Sequence, residues 1–359
     1  MSPASPVFPL FLDPHVTEPP EVTASARRQP TLRDVGTAVR AGGVEALTQA
    51  ELRSDEARYQ EVRCQSALNA VKGMPFEWTL NPYRGCTHAC HYCFARRYHE
   101  QFDLNAGDEF ASVILVKTNI ACVLRQELSA ARWSRERIAF GTATDPYQPI
   151  EGHYKLTRAC LEELARGRTP VGLVTKGPMV VRDIDVLLEV HRASSCTVYM
   201  SVPTVDEDAW RTLEPGTAHP LKRLRAVRAL TDAGVPAGVL MAPIVPGFSS
   251  SRDKLQRTLQ AIADHGARFV GANVMHLEGG TREHFMRFVQ REFPHLEPRL
   301  ERLYGRKYAP KWYRAQVKAM VQTLQSKVGG RARDRHPKSA SDTQEPTLRG
   351  AAEQAAFRW

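Results

Sequence analysis

The sequence predicts an α/β protein whose parallel strands close, or partly close, into a barrel. Three observations carry that reading. Seven short β-rich runs recur between stretches of helical, amphipathic pattern. Most of these runs are apolar along their length, as strands buried on both faces are. The residues with evident chemistry, among them Cys86, Thr144, Asp145, Lys176 and Ser201, fall at or just past the C-terminal ends of the runs, where barrel chemistry is placed. A doubly wound open sheet is the alternative. It normally carries a glycine-rich phosphate turn after its first strand, and this sequence shows none.

In order, the expected strands are 76–80, 112–117, 137–142, 171–175, 196–202, 237–242 and 268–274. A charged, weakly amphipathic piece within 43–59 reads as helical, and 63–71 leads into the first strand. Asn119 is positioned to cap a helix over 120–131. Further helices are expected over 156–165, from 182–188 onward, and over 221–233, where Gly234 ends the helix as a C-cap glycine does. Ser251, Arg252 and Asp253 open one more, running to His265. The barrel core then covers about 60–280, with a basic helical extension over 281–325. Residues 1–45, with Pro3, Pro6, Pro9, Pro14, Pro19 and Pro20 and no apolar period, read as disordered, as do 326–359.

Composition is that of a soluble enzyme, 42% hydrophobic and 25% charged over 359 residues. No run approaches the roughly 18 apolar residues that span a bilayer. The N-terminus lacks a basic start followed by an apolar core, so no signal peptide is expected and a reducing cytoplasm follows. The net charge of +10 is uneven: residues 282–359 hold 17 Lys and Arg against 8 Asp and Glu, leaving the rest nearly neutral. Such a basic third is a candidate footprint for nucleic acid, or else a solvated helix and tail. Tyr304, Tyr308, Trp312 and Tyr313 interleave with Arg306, Lys307 and Lys311. Aromatics beside cations stack bases and grip phosphates, or pack a terminal helix while the charges face water.

The chemistry concentrates between Asn81 and Phe94, where Cys86, Cys90 and Cys93 read C-x3-C-x2-C with His88, His91 and Tyr92 among them. Clustered thiolates select zinc, copper(I) or iron–sulfur centres over hard cations. Three thiolates in a tight loop hold three corners of a cubane cluster, which usually takes four cysteines. No fourth cysteine lies nearby, so one iron is left open for a substrate or cofactor. The competing reading is a structural zinc with His88 or His91 as fourth ligand, in a zinc-stabilised nucleic-acid-binding protein without radical chemistry. An odd number of ligand cysteines argues against a disulfide. Cys64, Cys122, Cys160 and Cys196 are dispersed and read as buried small hydrophobes.

The cysteine spacing with Tyr92 resembles the radical S-adenosylmethionine (SAM) superfamily, whose signature is C-x3-C-x-aromatic-C. In that family the open iron of a 4Fe–4S cluster is chelated by the amino and carboxylate groups of SAM. The reduced cluster cleaves SAM to a 5′-deoxyadenosyl radical that abstracts hydrogen from a substrate. By this resemblance Tyr92 lies against the adenine. Residues 81–94, 140–151, 175–177 and 213–217 further resemble the spore photoproduct lyase-like branch, over roughly residues 60–320. The resemblance implies a partial (β/α)6-type TIM-like barrel with SAM in its mouth, and a reductant such as flavodoxin or ferredoxin as partner.

It also implies SAM-contacting positions at Thr144, Lys176 and Ser201. Lys176, at a strand end, suits the SAM carboxylate as a point charge. Thr144 and Ser201 suit hydrogen bonds to the amino-acid moiety or ribose. The blander readings are a solvated Lys176, a turn-capping Thr144 and a core hydroxyl at Ser201. Asp145, ahead of Pro146, is expected to be extended and to organise the rim. Two residues depart from the branch. Thr142 stands where the lyase carries a hydrogen-donating cysteine, and Phe94 where it carries a relay tyrosine. Repair of thymine dimers is therefore not implied, and the substrate is open.

Overall fold

The computed structural model describes residues 57–72, 74–98, 107 and 109–333. The proline-rich segment 1–45 and everything past Arg333 lie outside the described residues. The strands are β1 (Arg58–Val62), β2 (Leu68–Ala70), β3 (Trp78–Leu80), β4 (Tyr83–Arg84), β5 (Val113–Lys117), β6 (Ile138–Phe140), β7 (Val171–Thr175), β8 (Cys196–Ser201), β9 (Ala237–Ile244) and β10 (Val270–Val274). The main helices are α1 (Ile120–Ser129), α2 (Leu156–Arg166), α3 (Ile184–Ala193), α4 (Glu207–Leu213), α5 (Pro220–Asp232), α6 (Arg252–Asp264), α7 (Gly279–Glu292), α8 (Glu297–Leu303) and α9 (Lys311–Arg333).

One sheet has the order β10-β9-β8-β7-β6-β3-β2. Its pairings from β3 through β10 are all parallel, and β2 is antiparallel at the edge. Neighbours along the sheet are neighbours among the barrel strands in chain order. That is the mark of β–α units wound in one direction, with helices supplying the crossovers. The sheet ends on β10 and β2, so the barrel is partial. Val171, Leu173, Val198, Val239 and Met241 are fully buried, which explains the apolar runs.

Six of the seven expected strands build this barrel. The exception is 112–117, whose β5 joins a second sheet, parallel to β1 and antiparallel to β4. An apolar run reports burial but not which neighbour buries it, and β1 and β4 are too short to show a pattern. Their sheet has a purpose, because β4 ends one residue before Gly85 and the cysteine loop. Gly85 turns with φ +79°, and a Cβ there would meet the Val113 carbonyl oxygen at 2.5 Å. Only glycine fits that left-handed, crowded corner.

Local signals read well at two helix ends and misread at a third. Gly234 adopts φ +92° after α5, and the Ser251 hydroxyl accepts the Lys254 N–H at the start of α6. Asn119 makes no side-chain cap on α1. Its amide instead brackets Cys64, accepting the Cys64 N–H and donating to its carbonyl, both at 2.8 Å.

The basic extension ends in α9, which packs on α6 and the edge strand β10. Tyr313, Val317, Val321, Leu324 and Val328 are buried along one stripe. Each contributes roughly 1.5–3 kcal/mol by leaving water. The stripe carries the helix past Ser326, where disorder was expected, to Arg333. Among the described residues no helix is long and apolar enough to cross a membrane.

Candidate active site at the barrel mouth

The loop from Asn81 to Phe94 lies over the C-terminal ends of the barrel strands and is tied down from several sides. Asn81 Oδ1 accepts the Ala143 N–H at 2.8 Å. The Gly85 carbonyl accepts the Thr144 hydroxyl at 2.6 Å and Gln148 Nε2 at 3.3 Å. Gln148 Oε1 accepts the Thr87 N–H at 3.2 Å. From within the loop, the buried Arg96 guanidinium donates to the carbonyls of Ala89 at 2.9 Å and Cys90 at 3.0 Å. On the far side, His91 N–H donates to Leu213 O and Gly216 N–H to His88 O. Gly216 approaches so closely that a Cβ would lie 2.3 Å from the Thr87 carbonyl oxygen.

Under the loop is a cavity of about 160 Å³. Cys86, Cys90, Cys93, Tyr92, Thr144, Lys176 and Ser201 all line it, so every site residue singled out from the sequence meets there. The opposite wall comes from β9 and β10, with Leu240, Pro243, Asn273 and His276. Cys86 and Cys90 are buried and Cys93 is half-buried. Burial, reinforced by Asp145, holds the Cys86 thiol well above its usual pKa. Burial likewise pushes Cys90 up to about 12, against the pull of Lys176. Thiols so placed ionise when a cationic centre takes up their charge.

Asp145 organises the rim, as expected. Its carboxylate accepts the Thr175 hydroxyl and the Lys176 N–H, both at 2.6 Å, and faces His88 Nδ1 at 3.3 Å. Burial opposes its charge, but these partners outweigh it and hold its pKa at about 2. The Thr144 hydroxyl is spent on Gly85, and Ser201 Oγ donates to the Ala242 carbonyl at 3.3 Å. His91 turns out of the cavity. Its ring stacks on Phe288 of α7, 3.9 Å between centroids, with His284 Nε2 at 3.1 Å from its Nδ1. Among the described residues no three His, Cys, Asp or Glu side chains gather around a single-metal position.

Two site residues were given no role from the sequence: Glu214, though it falls within 213–217, and Arg223. Glu214 is buried after α4, and the Tyr92 hydroxyl donates to its Oε1. Lys176 Nζ is 3.7 Å from the same oxygen and 5.7 Å from the Tyr92 ring centroid. Arg223, fully buried on α5, donates to Glu214 Oε2 at 2.6 Å and to the Ser201 carbonyl at 2.9 Å. Burial raises the carboxyl's pKa, yet Arg223 and Lys176 bring it below the usual range. A signal for Arg223 existed: it falls on the apolar stripe with Leu224, Val227 and Leu230. Of the dispersed cysteines, Cys64, Cys160 and Cys196 are buried as expected, whereas Cys122 is exposed on α1.

A half-open parallel barrel that presents a three-thiol loop at its mouth is the architecture of an iron–sulfur enzyme. A profile of the radical SAM superfamily matches residues 80–262. An uncharacterized protein of Mycobacterium tuberculosis (strain H37Rv) is 40% identical over 277 residues, covering 76% of this chain and 82% of the relative. The chain belongs to the radical SAM superfamily. More distant is an uncharacterized protein of Methanocaldococcus jannaschii, 26% identical over 52% of this chain and 67% of its own length. The fold is shared with spore photoproduct lyase. A lyase structure in complex with dinucleoside spore photoproduct superposes with TM-score 0.59 at 15% identity, over 78% of this chain and 82% of the lyase. A mutant lyase with bound SAM and the dinucleoside gives 0.59 at 16% identity over the same shares of the two chains. The protein is thus a radical SAM enzyme, and its cofactors are a 4Fe–4S cluster and SAM. The donor set fits them, with three soft thiols from one loop facing a cavity whose strand-end wall carries a half-buried lysine.

Proposed function

We propose that Cys86, Cys90 and Cys93 hold the cluster and that the walls around Lys176 seat SAM. When bound, the reduced cluster supplies the electron that splits SAM into methionine and a 5′-deoxyadenosyl radical, which takes hydrogen from the substrate. The observation that carries this reading is the convergence of the three thiols and Lys176 on one cavity.

The chain's own residues divide the work of holding SAM. Lys176 offers a fixed positive charge to the carboxylate. Burial works against that charge, but the Glu214 carboxylate 3.7 Å away favours it, and the amine's pKa stands above its ordinary value. Tyr92 gives the adenine a flat, buried face. The Thr144 and Ser201 hydroxyls have committed their protons to backbone carbonyls; Ser201 then presents its lone pairs, whereas Thr144 already accepts Gln148 Nε2 at 3.0 Å and has one left. Such acceptors suit the SAM amine or ribose hydroxyls. Asp145 lines the same cavity and holds the rim through Thr175 and the Lys176 N–H. A cluster of this kind asks for a reducing compartment and a small electron-transfer protein, flavodoxin or ferredoxin, in the cytoplasm.

The basic extension supports a nucleic acid as the substrate. Lys307 and Arg314 flank Tyr308, each 5.4 Å from its ring centroid, and Trp312, in the first turn of α9, is 65% exposed. Tyr308 in turn bridges to His276, which lines the cavity. A stacking platform with cations at a cavity mouth suits a single strand delivered to the radical.

The test is anaerobic reconstitution. About four irons and four sulfides per chain are expected, with 5′-deoxyadenosine formed from SAM under dithionite or a reduced ferredoxin, and neither with Cys90→Ala. Zinc that resists exchange, with no 5′-deoxyadenosine, overturns the reading. For the nucleic acid, salt-dependent binding of single-stranded DNA or RNA that Trp312→Ala weakens is expected. Equal binding by wild type and variant at all salt concentrations removes that part alone.

A further inference from the structure

Three of the four residues expected to touch SAM converge on one ion pair, Glu214 with Arg223. Glu214 takes the Tyr92 hydroxyl and the Lys176 ammonium on one carboxylate oxygen and Arg223 on the other. Arg223 then grips the Ser201 carbonyl and, through Nε, the Ala218 carbonyl at 2.7 Å. Tyr92 belongs to the cysteine loop, Lys176 follows β7 and Ser201 ends β8, so the pair links three separate segments. The same turn clamps the loop through Leu213 and Gly216.

We infer that Glu214 is a positioning residue for SAM: with Arg223 behind it, it fixes the tilt of the Tyr92 ring and the reach of Lys176. This rests on the SAM site proposed above. Glu214 divides its two oxygens between the structural Arg223 and the cavity-lining pair, Tyr92 and Lys176. The hydroxyl is committed to Glu214, so the Tyr92 ring cannot rotate toward the cavity without leaving a buried carboxylate short of a donor, which is costly.

The experiment is a double-mutant cycle of Tyr92→Phe and Glu214→Gln on the reconstituted full chain, reading SAM Kd by equilibrium dialysis, iron content and melting temperature. Each single variant is expected to weaken SAM about ten-fold at unchanged iron content. The double variant is expected to be weaker than either single by less than the product of their effects, because both act on the Tyr92–Glu214 contact while Glu214→Gln also removes the charge facing Lys176 and Arg223. Multiplicative effects, or a Kd within about two-fold of wild type for either single, overturn the inference. Should Glu214→Gln fail to fold, Tyr92→Phe alone decides by the same threshold. Wild type that binds no SAM would instead overturn the site reading itself.

Discussion

The carboxylate of Asp145 accepts the backbone N–H of Lys176 at 2.6 Å, tying the loop after β6 to the end of β7. The lysine's position is therefore set by a neighbouring loop as well as by its own strand. Folding holds the Asp145 carboxyl at about 2, below its ordinary 3.8. A depressed carboxyl stabilises above the unfolded value and loses that contribution as pH falls through the folded one. The cluster-free chain is expected to lose about 2 kcal/mol between pH 4 and pH 2 from this group. Urea unfolding across that range checks it, and Asp145→Asn is expected to flatten the dependence.

Lys176→Met tests the charge facing SAM. Loss of a charged partner costs about 1.5–3 kcal/mol, so SAM Kd is expected to rise about ten-fold or more. Iron content is expected to stay at the wild-type value, since the lysine touches no thiol-bearing backbone. Equilibrium dialysis beside an iron assay separates the two.

Gly85→Ala tests the corner before the first cysteine. The left-handed φ and the approach to Val113 O leave no room for a methyl group. A loss of at least about 1–2 kcal/mol in urea unfolding is expected, with poorer iron retention because Cys86 is the next residue.

Val321→Asp tests whether α9 belongs to the fold. A lone charge under that helix, where Val321 is 4% exposed, is expected to cost more than about 3 kcal/mol. A melting curve close to wild type would make the helix an appendage instead.

Much of this was legible in the sequence because burial writes itself into composition. Strands covered on both faces become apolar runs, and six of them marked the barrel. What composition cannot write is the partner. Residues 112–117 looked like another barrel strand and instead support the small sheet that launches the cysteine loop. The end of the helical extension was misplaced for a related reason: Val328, past the expected boundary at 325, continues a buried stripe that begins at Tyr313. At the site, thiols at fixed spacing were visible at once. Glu214 and Arg223 were not, since a charged residue is read as exposed until a counter-charge from elsewhere in the chain is seen beside it. Asn119 shows the same limit: a side chain suited to a local cap served a distant backbone.

The ties around the cysteine loop bear on the shape of any centre built there. The peptide path at Gly85, Thr87, His88, Ala89, Cys90 and His91 is already engaged by side chains and backbone from other segments or by Arg96. A centre built on this loop inherits its sulfur spacing from those ties as well as from the thiols themselves.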